Sequence, residues 1–237
     1  MKITPLLLAG ALTLASGNLW ADSGHQDSIE RLQTSTDVLQ SIMSAPDKGI
    51  PAEVMAGAKC IVVIPALVKG GFVFGGEHGR GIASCRTREG WSAPAFISVG
   101  GGSWGLQIGV EGVDLVMVVM NKQGLQDLLS SKFKISGSAS AAAGPVGRHA
   151  SAGTDWKMNT EFLTYSRSHG VFAGITLNGA VFQQDEDSTR AIYGHNRSFR
   201  SILSGKVAAP KSTRAFMRAI TETGRVGTIA EANPGRQ

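Results

Sequence analysis

The stretch "KGGFVFGGEHGRG", Lys69–Gly81, decides how this chain is read, because six of its thirteen residues are glycine and cations stand near both ends. A glycine-rich loop that opens a helix cradles phosphate and marks a nucleotide fold. Glycines spread along a hairpin serve tight turns and closely approaching strands instead. The residues that follow, "GIASCRT", are strand-like, and neither G-x-x-x-x-G-K-[ST] nor G-x-G-x-x-G occurs in the stretch. The phosphate loop is therefore rejected in favour of a β-hairpin that turns through "GGEHGRG", Gly75–Gly81.

The same character extends outward from it. "CIVVIP" before it is a β-branched run suited to a buried strand, and "APAFISVG", "WGLQIGV" and "VDLVMVVM" after it are further strands broken by glycines. "FLTYSRS", "VFAGITL" and "GAVFQQD" return to strand character after a short helix in "KQGLQDLLSSKF". Helical spacing holds at the ends. In "DSIERLQTSTDVLQSIMSA", Ile29, Leu32, Thr36, Leu39 and Met43 share a face, and Pro46 and Gly49 end the helix. "IPAEVMAGAK" reads as a short helix with Pro51 in its first turn. "STRAIYG", "RSFRSILSG" and "PKSTRAFMRAIT" are helical, with Gly194 and Gly205 as stops. No β–α–β alternation runs through the chain, so the predicted class is α+β: a glycine-rich, mainly antiparallel β body flanked by N-terminal and C-terminal helices.

Residues 1–21 read as an export leader. Lys2 precedes the short apolar run "ITPLLLAGALTL", and "LWA" ends at Ala21, with Gly17 as a second cleavage candidate. The run is too short to span a bilayer, and no Cys lies near the cleavage point for lipid attachment. Residues 22–237 are then a single domain in a periplasmic or secreted, oxidising setting. There Cys60 and Cys85 form either one disulfide or two buried thiols.

Charge is uneven. Residues 188–237 carry 9 Lys+Arg against 2 Asp+Glu, a net of +7, whereas residues 22–187 carry a net of −3. Such a basic end attracts anions. In the last helix Lys211, Arg214 and Arg218 fall on one face, and Phe216, Met217 and Ile220 on the other.

Two catalytic patterns fail on context. "GGSWG", Gly101–Gly105, fits G-x-S-x-G, but a nucleophile elbow needs a helix after Ser103, and "LQIGVEGVDLVMVV" follows. A serine hydrolase at Ser103 is kept as an alternative of low standing. The five His residues and two isolated Cys lack ligand spacing, so neither metal nor cofactor is expected. Asp185, Glu186 and Asp187 lack the rhythm of a calcium loop and read as the approach to a helix beginning near Ser188.

Taken in order, "IPAEVMAGAKCIVVIP", "KGGFVFGGEHGRGIAS", "WSAPAFISVGGGSWGLQIGVEGVDLVMVVMN", "AAAGPVGRHASAG", "YSRSHGVFAGITLNGAVF" and "STRAIYG" resemble the SYLF family, a lipid-binding domain of bacteria and eukaryotes. The resemblance implies no catalysis. It also implies a lipid ligand, since eukaryotic members bind phosphoinositides, and some bind actin. For an exported chain the analogous ligand is an anionic phospholipid surface, with an envelope protein as the other candidate partner and no nucleic acid. In some eukaryotic members a Lys-rich segment before the "IPA" motif meets the membrane. Here that segment has Arg31 as its only base, beside Glu30 and Asp37. The expected lipid contacts are therefore Arg197, Arg200, Lys211, Arg214 and Arg218, with Lys69, Arg80 and Arg148 as a second patch. A Cys60–Cys85 disulfide would be particular to this chain.

Overall fold

The computed structural model describes residues 18–45, 49–71, 74–104, 109–135, 141–146, 160–168, 171–173, 177 and 179–232. Helix α1 (Asn18–Met43) and the short α2 (Ala52–Gly57) lead into the strands β1 (Cys60–Gly71), β2 (Phe74–Thr87), β3 (Gly90–Trp91), β4 (Ala95–Trp104) and β5 (Gly109–Val119). Helix α3 (Lys122–Leu129) precedes β6 (Lys132–Lys134), β7 (Ala141–Ala143), β8 (Phe162–Ser168), β9 (Val171–Ala173) and β10 (Val181–Gln184). The chain then becomes helical: α4 (Glu186–Tyr193), α5 (Phe199–Leu203), a 3₁₀ turn (Lys211–Thr213) and α6 (Arg214–Ala232). The α+β class expected from the sequence is the one observed.

The strands form one sheet in the order β6-β10-β4-β2-β1-β5-β8-β7, with β3 on β2 and β9 on β8. Every pairing is antiparallel except β7 with β8. The sheet is curled. Phe133 on β6 and Phe162 on β8 stand six places apart in the strand order, yet their rings are 5.7 Å apart, and Phe133 stacks on Phe182 of β10 at 5.0 Å. The concave face buries these rings with Val62, Ile97, Leu115 and Met117, and Leu128 of α3 and Phe199, Ile202 and Leu203 of α5 pack into the same core. The convex face carries Ile61, Val63, Ile82, Phe96, Val116, Val118 and Leu163 against α1, α2, α4 and α6. Alternation along β1, β4 and β5 thus serves two cores, which explains why these strands read as continuous apolar runs.

The opening glycines do a different job from the one expected. "GGEHGRG" is not a turn but a regular part of β2, whose glycines pair with β4 from Gly75↔Ser103 to Gly81↔Ile97. The hairpin itself exists, with β1 and β2 in register from Cys60↔Cys85 to Gly71↔Gly75. Phe72 and Val73, between the two strands, lie outside the described residues. Glycine signals a turn and a close backbone approach equally well, and here the second holds. β1 bulges between Ile64 and Leu67, where Ala66 has φ 47°. Asp114 Oδ1 accepts the Ala66 N–H at 3.1 Å. The bulged strand presses on β2: a Cβ on Gly81 would run into the Val63 carbonyl oxygen and lie 2.9 Å from Ile64 Cγ1, and one on Gly79 would lie 2.8 Å from both Ile64 and Leu67.

Cys60 and Cys85, opposite one another in this register, are joined as a disulfide and buried in the concave core. Helix α1 buries Ser28, Leu32, Ser35, Thr36, Val38, Leu39 and Ile42. Its inner face is therefore smaller and more polar than the apolar spacing implied, and Ile29 and Met43 are only half-buried.

Gly81→Ala should lower the unfolding free energy by about 1–3 kcal/mol, because the neighbouring backbone and Ile64 must shift. Gly112→Ala, where an added Cβ meets nothing within 4 Å, should stay within about 0.5 kcal/mol of the parent. Urea titration of both variants checks the contrast.

Candidate functional site

The C-terminal basic segment is held in place by a cap and a buried ion pair. Asp185 is the N-cap of α4 and accepts from the Ser188 N–H at 3.0 Å. Its other oxygen meets Arg31 Nη1 at 2.8 Å, with both side chains about nine-tenths buried. The Arg31 guanidinium also lies 5.7 Å from the Phe96 ring centroid, so α1, α4 and β4 meet at one charge pair. Burial pushes the Asp185 carboxyl upward, but the Ser188 amide, Arg31 and the Ser188 hydroxyl together overcome it and hold the group below its usual value. Gly194 at φ 76° then ends α4 in the left-handed conformation that favours glycine.

Beyond that stop the chain passes around one end of the sheet. Gln184 binds both sides of the passage, donating to the Arg197 carbonyl at 2.7 Å and accepting from the Phe199 N–H at 3.0 Å. Ser198 caps α5, and α5 lies on the concave side against β2 and β4. Gly205, at φ 78°, sits against Thr87 at the end of β2, where a Cβ would come within 3.0 Å of Thr87 Cγ2. The 3₁₀ turn and α6 then run on the convex side, where Phe216, Ala219 and Ile220 are buried against α1 and α2.

Arg197, Arg200, Lys211, Arg214 and Arg218 are all exposed. The structure therefore sets the five predicted C-terminal bases at the surface, but in two groups that flank the sheet: Arg197 and Arg200 by α5, and the other three on the 3₁₀ turn and α6. Exposed Lys206 stands on the connection between them. Phe216 and Ile220 are buried as the helical spacing implied, while Met217 is half-buried.

The second predicted patch is placed differently. Lys69 is half-buried and ion-paired to Glu77 across the hairpin at 3.4 Å, near the glycine-rich ends of β1 and β2. Arg80 is exposed between the buried Gly79 and Gly81, so it projects from the opposite face of β2. Arg148 lies outside the described residues.

Ser103 belongs to β4, opposite Gly75 of β2, and the next described element is again a strand, β5. The strand–turn–helix of a nucleophile elbow is not the backbone seen at this serine. Among the described residues no group of three or more His, Cys, Asp or Glu could hold a metal ion.

Comparison with known proteins places the chain. Residues 100–223 match the family model described as "Ysc84: Las17-binding protein actin regulator". The chain belongs to the Ysc84 (SYLF) family. It is 35% identical over 175 residues to SH3 domain-containing protein PJ696.02 of Schizosaccharomyces pombe, covering 72% of this chain and 40% of that protein. It is 32% identical over 176 residues to protein YSC84 of Saccharomyces cerevisiae, covering 73% and 37%. It is also 32% identical over 169 residues to SH3 domain-containing YSC84-like protein 1 of Rattus norvegicus, covering 70% and 49%. The chain thus spans less than half the length of each of these relatives.

The Arg31–Asp185 pair has a pH signature. A carboxylate whose folded-state pKa is depressed contributes stability that is complete above its unfolded value and is lost as pH falls through the folded one. Asp185→Asn should cost about 3 kcal/mol at pH 6, where it leaves Arg31 buried and unpaired. The difference from the parent should shrink below the ordinary value of 3.8. Urea unfolding of both proteins between about pH 6 and pH 2 measures that convergence.

Proposed function

We propose that this protein is a non-enzymatic, exported lipid-binding domain that attaches peripherally to anionic phospholipid head groups. The observation that carries the reading is the division of labour in α6. Its apolar residues Phe216, Ala219 and Ile220 are buried in its own domain, while Lys211, Arg214 and Arg218 face solvent on the preceding turn and the helix itself. Attachment is therefore by charge, since the described apolar residues Phe216, Ala219 and Ile220 of α6 are committed to the domain's own core. Among the described residues no helix is long and apolar enough to cross a membrane. The family's resemblance to lipid-binding domains supports the same ligand class.

Vesicle sedimentation tests this. Binding to phosphatidylglycerol or cardiolipin vesicles should exceed binding to phosphatidylcholine and should weaken when salt is raised by about 100 mM. Arg214→Gln with Arg218→Gln should weaken it about 25-fold, from roughly 1 kcal/mol per basic residue near the surface. Equal binding to neutral and anionic vesicles, unchanged by salt, would falsify the charge mechanism.

Export rests on the leader-like residues 1–21 and on the Cys60–Cys85 bond, which persists in oxidising compartments. Intact mass of the protein from its native host should show a chain beginning at Asp22, or at Asn18 for the alternative site, two hydrogens lighter than the dithiol. A chain beginning at Met1 with both thiols free would exclude export.

A protein partner is the second reading, favoured by the "Las17-binding" description of the matching family. For this chain the partner would be an envelope protein. A single stoichiometric partner recovered by pull-down, together with absent vesicle binding, would select it over the lipid reading.

A further inference from the structure

Four bases outside the predicted set gather at the end of the sheet that the C-terminal segment goes around. Lys59 immediately precedes β1, and its carbonyl accepts the Arg86 N–H at 2.7 Å. Arg86 is fixed in turn: Nε and Nη2 donate to the carbonyls of Ala58 and Met55 at 3.2 and 3.0 Å, and its guanidinium stacks on Trp91 at 4.7 Å. Two residues later Arg88 stands at the tip of the β2–β3 turn, which Thr87 Oγ1 closes by donating to the Gly90 carbonyl at 3.0 Å. Lys206 follows Gly205, which rests on Thr87. Helix α6 packs against β3, and Lys211 and Arg214 stand at the N-terminal end of that helix. Lys59, Arg88, Lys206, Lys211 and Arg214 are all exposed, as is Glu89 next to Arg88.

The opposite end of the sheet is built otherwise. Lys69 lies ten residues along β1 from Lys59, about 30 Å at 3.3 Å per residue, and is paired with Glu77. Lys69 therefore stands far from the end at which Lys59 and Arg88 lie.

We propose that the protein meets an anionic bilayer end-on, through the β2–β3 turn, with Lys59, Arg88 and Lys206 joining Lys211 and Arg214 as head-group contacts and the glycine-rich ends of β1 and β2 directed away. This rests on the lipid-binding reading and adds an orientation to it. Lys206 lies on the connection between the two halves of the C-terminal basic segment, beside the Gly205–Thr87 contact at this end. The turn is also held stiff by the Arg86 and Thr87 contacts, so its charges are presented without an ordering cost on binding.

The test is a titration with mixed phosphatidylglycerol–phosphatidylcholine vesicles. Arg88→Gln and Lys206→Gln should each weaken binding about fivefold, and the double variant about 25-fold. Glu89→Gln should strengthen binding severalfold, a gain that misfolding cannot imitate. Lys134→Gln, exposed on β6 and level with the middle of β2, should bind as the parent does. If the parent binds anionic vesicles but Arg88→Gln and Lys206→Gln match it, or Lys134→Gln weakens it equally, the end-on orientation is wrong while the lipid reading stands. If the parent shows no preference for phosphatidylglycerol, the lipid reading fails and the orientation with it.

Discussion

The bulge at Ala66 is the constraint on which the arrangement turns. A β-branched strand run of this length would lie nearly straight without it, and an extra residue bends a strand and increases its twist. The bend is pinned from both sides. On the convex side Asp114 holds the Ala66 N–H, and the same carboxylate is paired with Arg167 at 2.9 Å. Arg167 also donates to Ser41 of α1, so the bulge, two neighbouring strands and the covering helix are linked through one chain of polar contacts. On the concave side Gly79 and Gly81 leave the space that the displaced strand occupies. The curl that lets Phe133 reach Phe162 across six strand positions is consistent with this local bend, and the curl in turn divides the sheet into an enclosed face and one that helices must cover.

That division explains the position of the C-terminal helices. The concave face has room at its end for α5, and the convex face for α6 beside α1 and α2. The chain must therefore cross from one face to the other, and it does so around the β2–β3 turn, where Gly205 can approach Thr87 as a residue with a Cβ could not. The exposed bases Arg197 and Arg200 before the crossing, and Lys211, Arg214 and Arg218 after it, are thereby set on the two sides of the sheet. The ion pair between Arg31 and Asp185, 154 residues apart, fixes where this crossing segment begins.

Much of this was legible. The strands announced themselves because each is bordered by glycines and rich in β-branched residues, and Asp185, Gly194 and Gly205 marked helix boundaries by side-chain chemistry that acts locally. The role of "GGEHGRG" is not legible, because glycine records only that a side chain is excluded, not whether a turn or a neighbouring strand excludes it. Arg31 looked like a poor remnant of a basic membrane segment, and its partner could not be seen from a local window. The exposure of Arg197, Arg200, Lys211, Arg214 and Arg218 followed from composition and helical spacing. Lys59 and Arg88 carried no such signal, since each is a single base near a strand end, and only the register of β1 with β2 sets them beside the C-terminal segment.

The burial of α6 also limits what kind of binding this surface supports. A helix that inserts its apolar face gains energy in proportion to area and is little affected by salt, whereas one already docked on its own domain contributes only through charge. Each exposed Lys or Arg adds a small increment that is screened within about 10 Å at 0.1 M salt. On the proposed lipid reading, such a surface would bind reversibly and would respond to head-group charge density more than to head-group identity.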